Sequence, residues 1–266
     1  MFAVRINLLL KSDGEFVIKP LVSVVTVVYN AFDSIEDTIR SVLEQDASLG
    51  GIEYWVVDGG STDGTLDIIS NYSGRLQFVS SSDRGIYDAM NKGIELCSGH
   101  WIIFMNAGDM FHSDNSIKDV FAGESYSGVD VVYGDCVVDY GGVKKYRKGG
   151  SIDRLWKGSC FSHQSAFIDL NYHKRNFYNI KNRISADFEF FYELSAMGGV
   201  FFKVDRAIAV VTSGGLSDVR RVDAMVAWWN CVKKSNGVNF HYIKIILLEM
   251  LKDFVKKVIR RIRRTI

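Results

Sequence analysis

Acidic and amide side chains follow several apolar runs of the sequence, at the point where each run ends. One such run, residues 101–105, is followed by Asn106 and, three residues later, by Asp109. Five apolar residues without polar alternation predict a strand buried on both faces of a sheet. Ligands of open α/β sheets bind just past the carboxyl ends of such strands, where an acid can hold a divalent cation and a diphosphate. Asn, Gly and Asp also favour turns, so this stretch alone supports a simple turn equally well.

Side chains able to bind a nucleotide follow the earlier runs too. An aromatic ring can lie against a base, and carboxylates can accept hydrogen bonds from a base or a ribose. Each residue of this kind is, taken alone, more often a helix cap or a turn residue. Their joint occurrence at successive run ends favours a nucleotide site formed by Thr26, Tyr29, Asn30, Asp58, Asp83, Asn91 and Asp109.

The elements that would position these residues alternate between strand and helix. Strands are predicted at residues 22–29, 52–57, 76–79 and 101–105, with a helix after each of the first three. This alternation is typical of βαβ units, and right-handed crossovers place the ends of such strands along one rim. The predicted fold class is therefore α/β, with a mostly parallel central sheet flanked by helices and a C-terminal amphipathic helix.

The pattern changes after residue 129. A hairpin is predicted from residues 129–138 and 143–147, and a further strand at 165–168 follows His163 and Gln164. Ser185 is expected to cap a helix over residues 186–197. Strands at 200–204 and 207–211 and helices near 222–234 and 242–264 complete the prediction.

Composition and missing motifs exclude several classes of protein. A 47% hydrophobic chain with a net charge of +1 is neither disordered nor an obvious nucleic-acid binder. It carries neither a glycine-rich dinucleotide fingerprint nor a P-loop, which argues against dehydrogenases and P-loop NTPases. The four cysteines have no paired metal spacing, and neither a signal peptide nor a membrane-spanning run is recognisable. We therefore expect a cytoplasmic protein.

The C-terminal stretch differs from the rest in charge. Residues 241–266 contain eight Lys or Arg and two Asp or Glu. A predicted helix there carries an apolar face made of Leu247, Leu251, Phe254, Val255, Val258 and Ile262. This composition suits a helix lying on an anionic membrane, and the alternative is a helix docked on its own domain with a solvated basic face. The expected organisation is a domain over 1–240 and a basic helix over 241–266.

Four segments resemble family 2 glycosyltransferases in order and spacing. They are residues 24–30 (VVTVVYN), 57–65 (VDGGSTDGT), 83–93 (DRGIYDAMNKG) and 104–109 (FMNAGD). The similarity covers roughly residues 20–215 and is greatest to bacterial members that build colanic acid, O-antigen and other surface polysaccharides. It implies a GT-A fold, a nucleotide-sugar donor, a divalent cation and an inverting transfer.

The resemblance also implies roles for residues. The nucleoside of the donor would contact Thr26, Tyr29, Asn30, Asp58 and Asp83. The family's metal motif, Asp-x-Asp, corresponds to Asn106 and Gly108, so that only the following Asp109 is left to bind Mg²⁺ or Mn²⁺. One carboxylate and two phosphate oxygens are a small ligand set, although Mg²⁺ can keep several waters. Asn91 and Asn106 are counted with the substrate-binding residues.

The catalytic base of the family lies at the start of a helix in the second half, where this chain has Asp187. An inverting transfer needs a carboxylate to take the proton of the acceptor hydroxyl. A carboxylate favoured by the helix dipole is the alternative for Asp187. His163 and Gln164 resemble a recurrent pair that could touch acceptor or phosphate, and a core histidine satisfied by backbone is the alternative. The loop Gly214–Ser217 resembles the segment that follows the base in relatives, and we expect it to close as a lid.

The sequence thus predicts transfer of a sugar from a nucleotide-diphosphate sugar to a saccharide linked to undecaprenyl diphosphate, at the inner face of the cytoplasmic membrane. Two rivals stay open: a sugar-phosphate nucleotidyltransferase, and a catalytically degenerate saccharide-binding protein on the membrane. The first would need a basic glycine-rich loop after the first strand, which Ala31-Phe32-Asp33 does not provide. The sequence does not specify the sugar, the base, the linkage or the oligomeric state.

Overall fold

Strand and helix alternate in the first half of the chain, as predicted. The computed structural model describes residues 8–10 and 16–265. The first two strands, β1 (Leu8–Leu10) and β2 (Phe16–Ile18), pair antiparallel as a separate ribbon. The parallel part of the main sheet follows, with the elements β3 (Val22–Val28), α1 (Ile35–Leu43), β4 (Ile52–Asp58), α2 (Thr65–Ser70), β5 (Gln77–Ser80), α3 (Ile86–Leu96) and β6 (Trp101–Phe104).

The second half adds mixed strands to the same sheet. Its strands are β7 (Met110–Phe111), β8 (Val131–Asp139), β9 (Lys144–Arg147), β10 (Ala166–Asp169) and β11 (Phe201–Thr212). Its helices are α4 (Ser116–Phe121), α5 (Leu170–Arg175), α6 (Ala186–Ala196), α7 (Leu216–Val219), α8 (Arg221–Cys231) and α9 (Asn236–Thr265). The described strands follow the order β5-β4-β3-β6-β10-β8-β11-β7, and β9 pairs with β8.

Strand direction decides where the site forms. β10 is antiparallel to both β6 and β8, so that β8 runs in the same direction as β3, and β11 is parallel to β8. The carboxyl ends of β3, β4, β6, β8 and β11 therefore lie on one edge of the sheet, together with the start of β10. This edge is the predicted rim, and it also receives residues from the second half of the chain.

Apolar side chains pack on both faces of the sheet. Val24 and Ile103 belong to the cluster on the α1 side, whereas Val25 and Phe104 belong to the cluster on the α3 side. This two-sided burial explains why the strands lack polar alternation. Ser34 and Ser185 stand at the N-cap positions of α1 and α6, but within the described part of the chain neither hydroxyl makes a capping hydrogen bond.

Two predicted boundaries are corrected. The strands predicted at 200–204 and 207–211 are a single strand, β11, whose register shifts between Lys203 and Ala209. Asp205 and Arg206 look like a turn in the sequence, but a bulge accommodates them within the strand. The terminal helix α9 begins at Asn236, whereas the sequence predicted its start near residue 242.

The terminal helix is docked at its start and exposed further on. Tyr242 is buried, its ring stacks on Trp229, and its hydroxyl donates to the Trp156 carbonyl at 3.0 Å. Every side chain from Met250 to Ile259 is exposed. Among the described helices, none is both long and apolar enough to cross a membrane.

Candidate active site

Two predicted nucleoside contacts lie inside the protein. Thr26 is fully buried, and its Oγ1 lies 2.9 Å from the hydroxyl of Tyr54. Asp58 is also fully buried and accepts the N–H groups of Gly60 at 2.9 Å and Ser61 at 3.0 Å, as well as the Ser80 hydroxyl at 2.6 Å. These residues shape the loop after β4 and do not reach the surface of the rim.

Three other predicted contacts do lie at the surface of the rim. Tyr29 is 64% exposed, and Asn30 has a φ of 48° and accepts the N–H of Thr62 at 2.9 Å. Asp83 accepts the N–H of Gly85 through Oδ1 at 2.8 Å. A Cβ at Gly59 would collide with Oδ2 of Asp83 and lie 3.4 Å from the ring of Tyr29. The missing side chain of Gly59 thus leaves a cradle between an aromatic ring and a carboxylate, which suits a nucleoside.

Asn91 has a different role from the one expected. Its Nδ2 donates to the carbonyl of Tyr178, and its Oδ1 accepts the N–H of the same residue, both at 2.9 Å. Both ends of the amide are therefore used to hold a loop of the second half against α3. The predicted contact between Asn91 and substrate is replaced by a structural one.

Asp109 connects three parts of the sheet edge. Its Oδ1 accepts the N–H of Thr212 at the end of β11 at 2.9 Å, and its Oδ2 accepts Nε2 of Gln164 at 2.8 Å. The residue is 6% exposed. Burial raises the pKa of this carboxyl, against the lowering effect of the two hydrogen bonds.

Asp187 lies in the first turn of α6 and is held by two donors. The hydroxyl of Tyr87 in α3 donates to Oδ1 at 2.7 Å, and Nδ1 of His163 lies 3.2 Å from Oδ2. The Asp187 side chain is 21% exposed, so it remains accessible from the rim. The other ring nitrogen of His163, Nε2, lies 3.1 Å from Nδ2 of Asn106.

The carboxylates of Asp109 and Asp187 are therefore connected through two consecutive residues. His163 contacts Asp187, and Gln164 contacts Asp109, on the short 3-10 turn His163–Ser165 before β10. His163 also contacts Asn106, at the end of β6. The predicted base and the end of the fourth parallel strand thus belong to one site.

Opposing effects set the ionisation of Asp187. Burial is the largest influence and raises its pKa, but the hydrogen bonds from His163 and Tyr87 lower it below the ordinary value. Burial, followed by the charge of Asp187, raises the pKa of Tyr87 well above its ordinary value. Asp187 is therefore a carboxylate at neutral pH and Tyr87 a protonated donor.

The residues present do not by themselves fit a divalent cation. Of the three motif positions, Asn106, Gly108 and Asp109, only the last is acidic, and each of its oxygens already accepts an N–H group. Within residues 16–265, no group of three or more His, Cys, Asp or Glu is arranged to hold a metal. We therefore assign no step of the reaction to a cation.

Two residues of the site, Tyr87 and Thr212, were missed in the sequence, and Gln164 was noticed only as the neighbour of His163. Tyr87 stands inside one of the motif segments, but nothing in the sequence indicates that its hydroxyl donates to Asp187. Gln164 and Thr212 anchor Asp109 from distant parts of the chain. Only Gln164 had a signal, because it adjoins the histidine that the sequence singled out.

Comparison with known proteins identifies the family. A model described as "Glycosyl transferase family 2" matches residues 23–208, more than half of the chain. The chain belongs to this family. It is therefore a glycosyltransferase, and all residues of the site described above except Thr212 lie within the matched segment.

Two relatives illustrate the range of the family. A PGL/p-HBAD biosynthesis glycosyltransferase of Mycobacterium bovis (strain BCG / Pasteur 1173P2) is 33% identical over 184 residues, which are 64% of this chain and 68% of that protein. A putative teichuronic acid biosynthesis glycosyltransferase, TuaG, of Bacillus subtilis (strain 168) is 41% identical over 106 residues, 38% of this chain and 41% of that protein. The match to TuaG thus spans less than half of either protein.

Solved structures of low sequence identity share the fold. S. aureus TarS 1-349 in complex with UDP has a TM-score of 0.62 at 18% identity, covering 81% of this chain and 66% of that one. The mannosyltransferase PcManGT from Pyrobaculum calidifontis, in complex with GDP-Man and Mn²⁺, has a TM-score of 0.61 at 19% identity, covering 83% and 67%. The predicted GT-A fold is confirmed.

Proposed function

We propose that this glycosyltransferase moves a sugar from a nucleotide-diphosphate sugar to a hydroxyl of a saccharide, with inversion, during assembly of a cell-surface polysaccharide. The observation that carries the proposal is the turn His163–Ser165, which joins Asp187 to the end of β6. The named roles of the mycobacterial and Bacillus relatives support the acceptor class. The nucleotide sugars bound by TarS and PcManGT support the donor class.

The reaction follows from the groups at the rim. The nucleoside lies in the cradle of Tyr29, Gly59 and Asp83, which directs the diphosphate toward the end of β6. Asp187 takes the proton of the acceptor hydroxyl while that oxygen forms a bond to the anomeric carbon. The bond from the anomeric carbon to the phosphate oxygen breaks, and its electron pair leaves with the nucleoside diphosphate. Attack opposite the leaving group inverts the anomeric configuration.

A divalent cation, Mg²⁺ or Mn²⁺, bound at Asp109 stays a prediction from the family. The Mn²⁺ in the PcManGT complex supports it. The two hydrogen bonds of Asp109 do not favour it. Dialysis of the protein against EDTA, followed by an activity assay with and without added Mn²⁺, tests the cation independently of Asp187.

We further propose that the acceptor is carried on a lipid diphosphate and that α9 lies on the anionic inner face of the membrane. Beyond Glu249 the helix exposes Leu251, Phe254 and Val258 beside Lys252 and Lys256. Apolar and basic side chains on one exposed helix are the combination that binds anionic lipid surfaces. A second copy of the chain is the competing occupant, and the vesicle experiment described below distinguishes the two.

A donor screen tests the central proposal. Thermal shift with UDP-GlcNAc, UDP-glucose and GDP-mannose identifies the nucleotide, because a bound ligand stabilises the native state. With the donor known, Asp187→Asn should retain donor binding but lose transfer, and NMR of the product should show inversion. Full transfer by Asp187→Asn, or a retained anomeric configuration, would contradict the proposal.

A further inference from the structure

Both ring nitrogens of His163 are engaged inside the protein. Nδ1 faces Oδ2 of Asp187 at 3.2 Å, and Nε2 faces Nδ2 of Asn106 at 3.1 Å. The side chain is 16% exposed. A ring with both nitrogens occupied has none left to bind acceptor or phosphate, which is the role that the sequence predicted for it.

The partners of the ring determine where its proton lies. An amide nitrogen can only donate a hydrogen bond, so Nε2 accepts from Asn106 and carries no proton. The single proton of the neutral ring then lies on Nδ1 and is donated to Asp187. The opposite amide orientation would present Oδ1 to Nε2 and would require a doubly protonated ring.

We propose that Asn106 and His163 are positioning residues. Asn106 fixes the Nδ1–H tautomer of His163, and His163 thereby holds Asp187 in place for proton transfer. The inference rests on the proposed role of Asp187 as the base. Tyr87 fixes Oδ1 and His163 fixes Oδ2, so the carboxylate cannot rotate. The Asp187 side chain is still 21% exposed, so its remaining lone pairs are accessible to an acceptor hydroxyl.

This arrangement gives a reason for an amide at position 106, where the family usually has an acid. A carboxylate there would accept a hydrogen bond from a protonated Nε2 and would favour an imidazolium held between two carboxylates. The imidazolium would stabilise ionised Asp187 and reduce its power as a base. The amide instead donates to Nε2, so that only the Nδ1 side of the ring faces Asp187 as a donor.

Substitution of His163 by Asn or by Gln distinguishes the roles of its two ring nitrogens. Nδ2 of an asparagine side chain occupies nearly the position of Nδ1, whereas Nε2 of a glutamine reaches toward Asn106. His163→Gln and His163→Ala should lower kcat about 10²-fold with an unchanged donor KM, because a small misplacement of a catalytic group has effects of that order. His163→Asn should recover most of that loss. The assay follows nucleotide release from UDP-GlcNAc or GDP-mannose, whichever the donor screen selects.

Asn106→Asp provides the opposite test, because it restores the family's acid. If Asn106 positions His163, the Asn106→Asp variant should have a lower kcat than the unmodified protein, with or without Mn²⁺. If the variant instead gained activity with Mn²⁺, Asn106 would be the remnant of a metal motif and the proposal would be overturned. Equal damage by His163→Asn and His163→Ala, with a raised donor KM, would overturn it too, because the ring would then contact substrate.

The tautomer can be observed without any substrate. Nitrogen-15 NMR of the histidine rings in the full chain, with His163 assigned by its absence in His163→Asn, should show a proton on Nδ1 and none on Nε2. Asn106→Asp should show both nitrogens protonated at the same neutral pH. A proton on Nε2 in the unmodified protein would refute the inference. Failure of Asp187→Asn to abolish transfer would instead refute the proposed function, so the two failures are distinguishable.

Discussion

At the scale of single residues, the site depends on how Asp187 is kept both ionised and accessible. Burial alone would raise its pKa, but the hydrogen bonds from His163 and Tyr87 outweigh burial. The third titratable group facing it is Tyr178, whose pKa is raised by its own burial and then by the charge of Asp187, so that it stays neutral. Asp187 can thus act as a base at any pH above the pKa of its carboxyl.

The acid limb of the pH profile tests this balance. Because the folded pKa of Asp187 is lowered, kcat should not decline until the pH falls below the ordinary carboxyl value of 3.8. His163→Ala removes the main lowering effect and leaves burial, so the acid limb should move to higher pH. Tyr87→Phe should move it in the same direction by less. An acid limb unaltered in both variants would contradict the account.

Asp109 is expected to be structural whether or not it binds a cation. Asp109→Asn leaves one carbonyl oxygen for two N–H donors, so we expect the free energy of unfolding to fall by about 1–3 kcal/mol. The measurement is thermal or urea unfolding in EDTA, where no cation can contribute. If Asp109 served only as a metal ligand, stability in EDTA would be unchanged and activity with Mn²⁺ would fall.

At the scale of elements, α3 connects the two halves of the site. It carries Tyr87 to Asp187, and Asn91 binds the backbone of Tyr178. Gly93 lets the helix approach β3 closely, because an added Cβ would lie 2.5 Å from Cγ1 of Val25. The approach of this helix to the sheet therefore determines where Tyr87 stands.

Gly93→Ala should push α3 away from the sheet. Overpacking of this kind typically costs about 1–3 kcal/mol, so we expect a lower melting temperature and a lower kcat. Gly237→Ala in α9 is the matched control, since nothing lies within 4 Å of its added Cβ and its stability should change by less than ~0.5 kcal/mol. Equal stability of the two variants would contradict the close packing of α3.

At the scale of the whole molecule, α9 has two parts with different surroundings. Its start is buried through Tyr242 against Trp229 and Trp156, and Glu249 is still buried. The exposed part after Glu249 is the part available to a membrane. Removal of all of residues 241–266 would delete Tyr242 and uncover its partners Trp229 and Trp156, so the useful truncation is after Met250.

A chain lacking residues 251–266 should keep its stability but lose binding to vesicles containing phosphatidylglycerol. Flotation with those vesicles, and with pure phosphatidylcholine vesicles as a control, measures the effect. Reversal of Lys252, Lys256 and Lys257 to Glu in the full chain should have a similar effect, because attraction to anionic lipid depends on basic charge. Equal flotation of truncated and full chains would rule out the anchor, and loss of a dimer on truncation would identify a second copy as the occupant.

The sequence by itself determined the alternating strands and helices, the rim at their carboxyl ends, Tyr29 and Asp83 on its surface, and Asp187 at a helix start. These are local properties, because the periodicity of apolar residues and the polar residues that end each apolar run can be recognised from neighbouring residues. It also singled out Thr26, Asp58 and Asn91, but neighbouring residues do not reveal that the first two are fully buried or that the third binds backbone.

Only the tertiary structure decided what each polar atom contacts. Tyr87 and Asp187 are 100 residues apart, and Asp109 and Thr212 are 103 apart. A hydrogen-bond partner at such a separation depends on the strand order, and here the antiparallel β10 between β6 and β8 brings His163 to the rim. Side-chain chemistry named the groups that could act, and the packing of distant elements selected which of them meet.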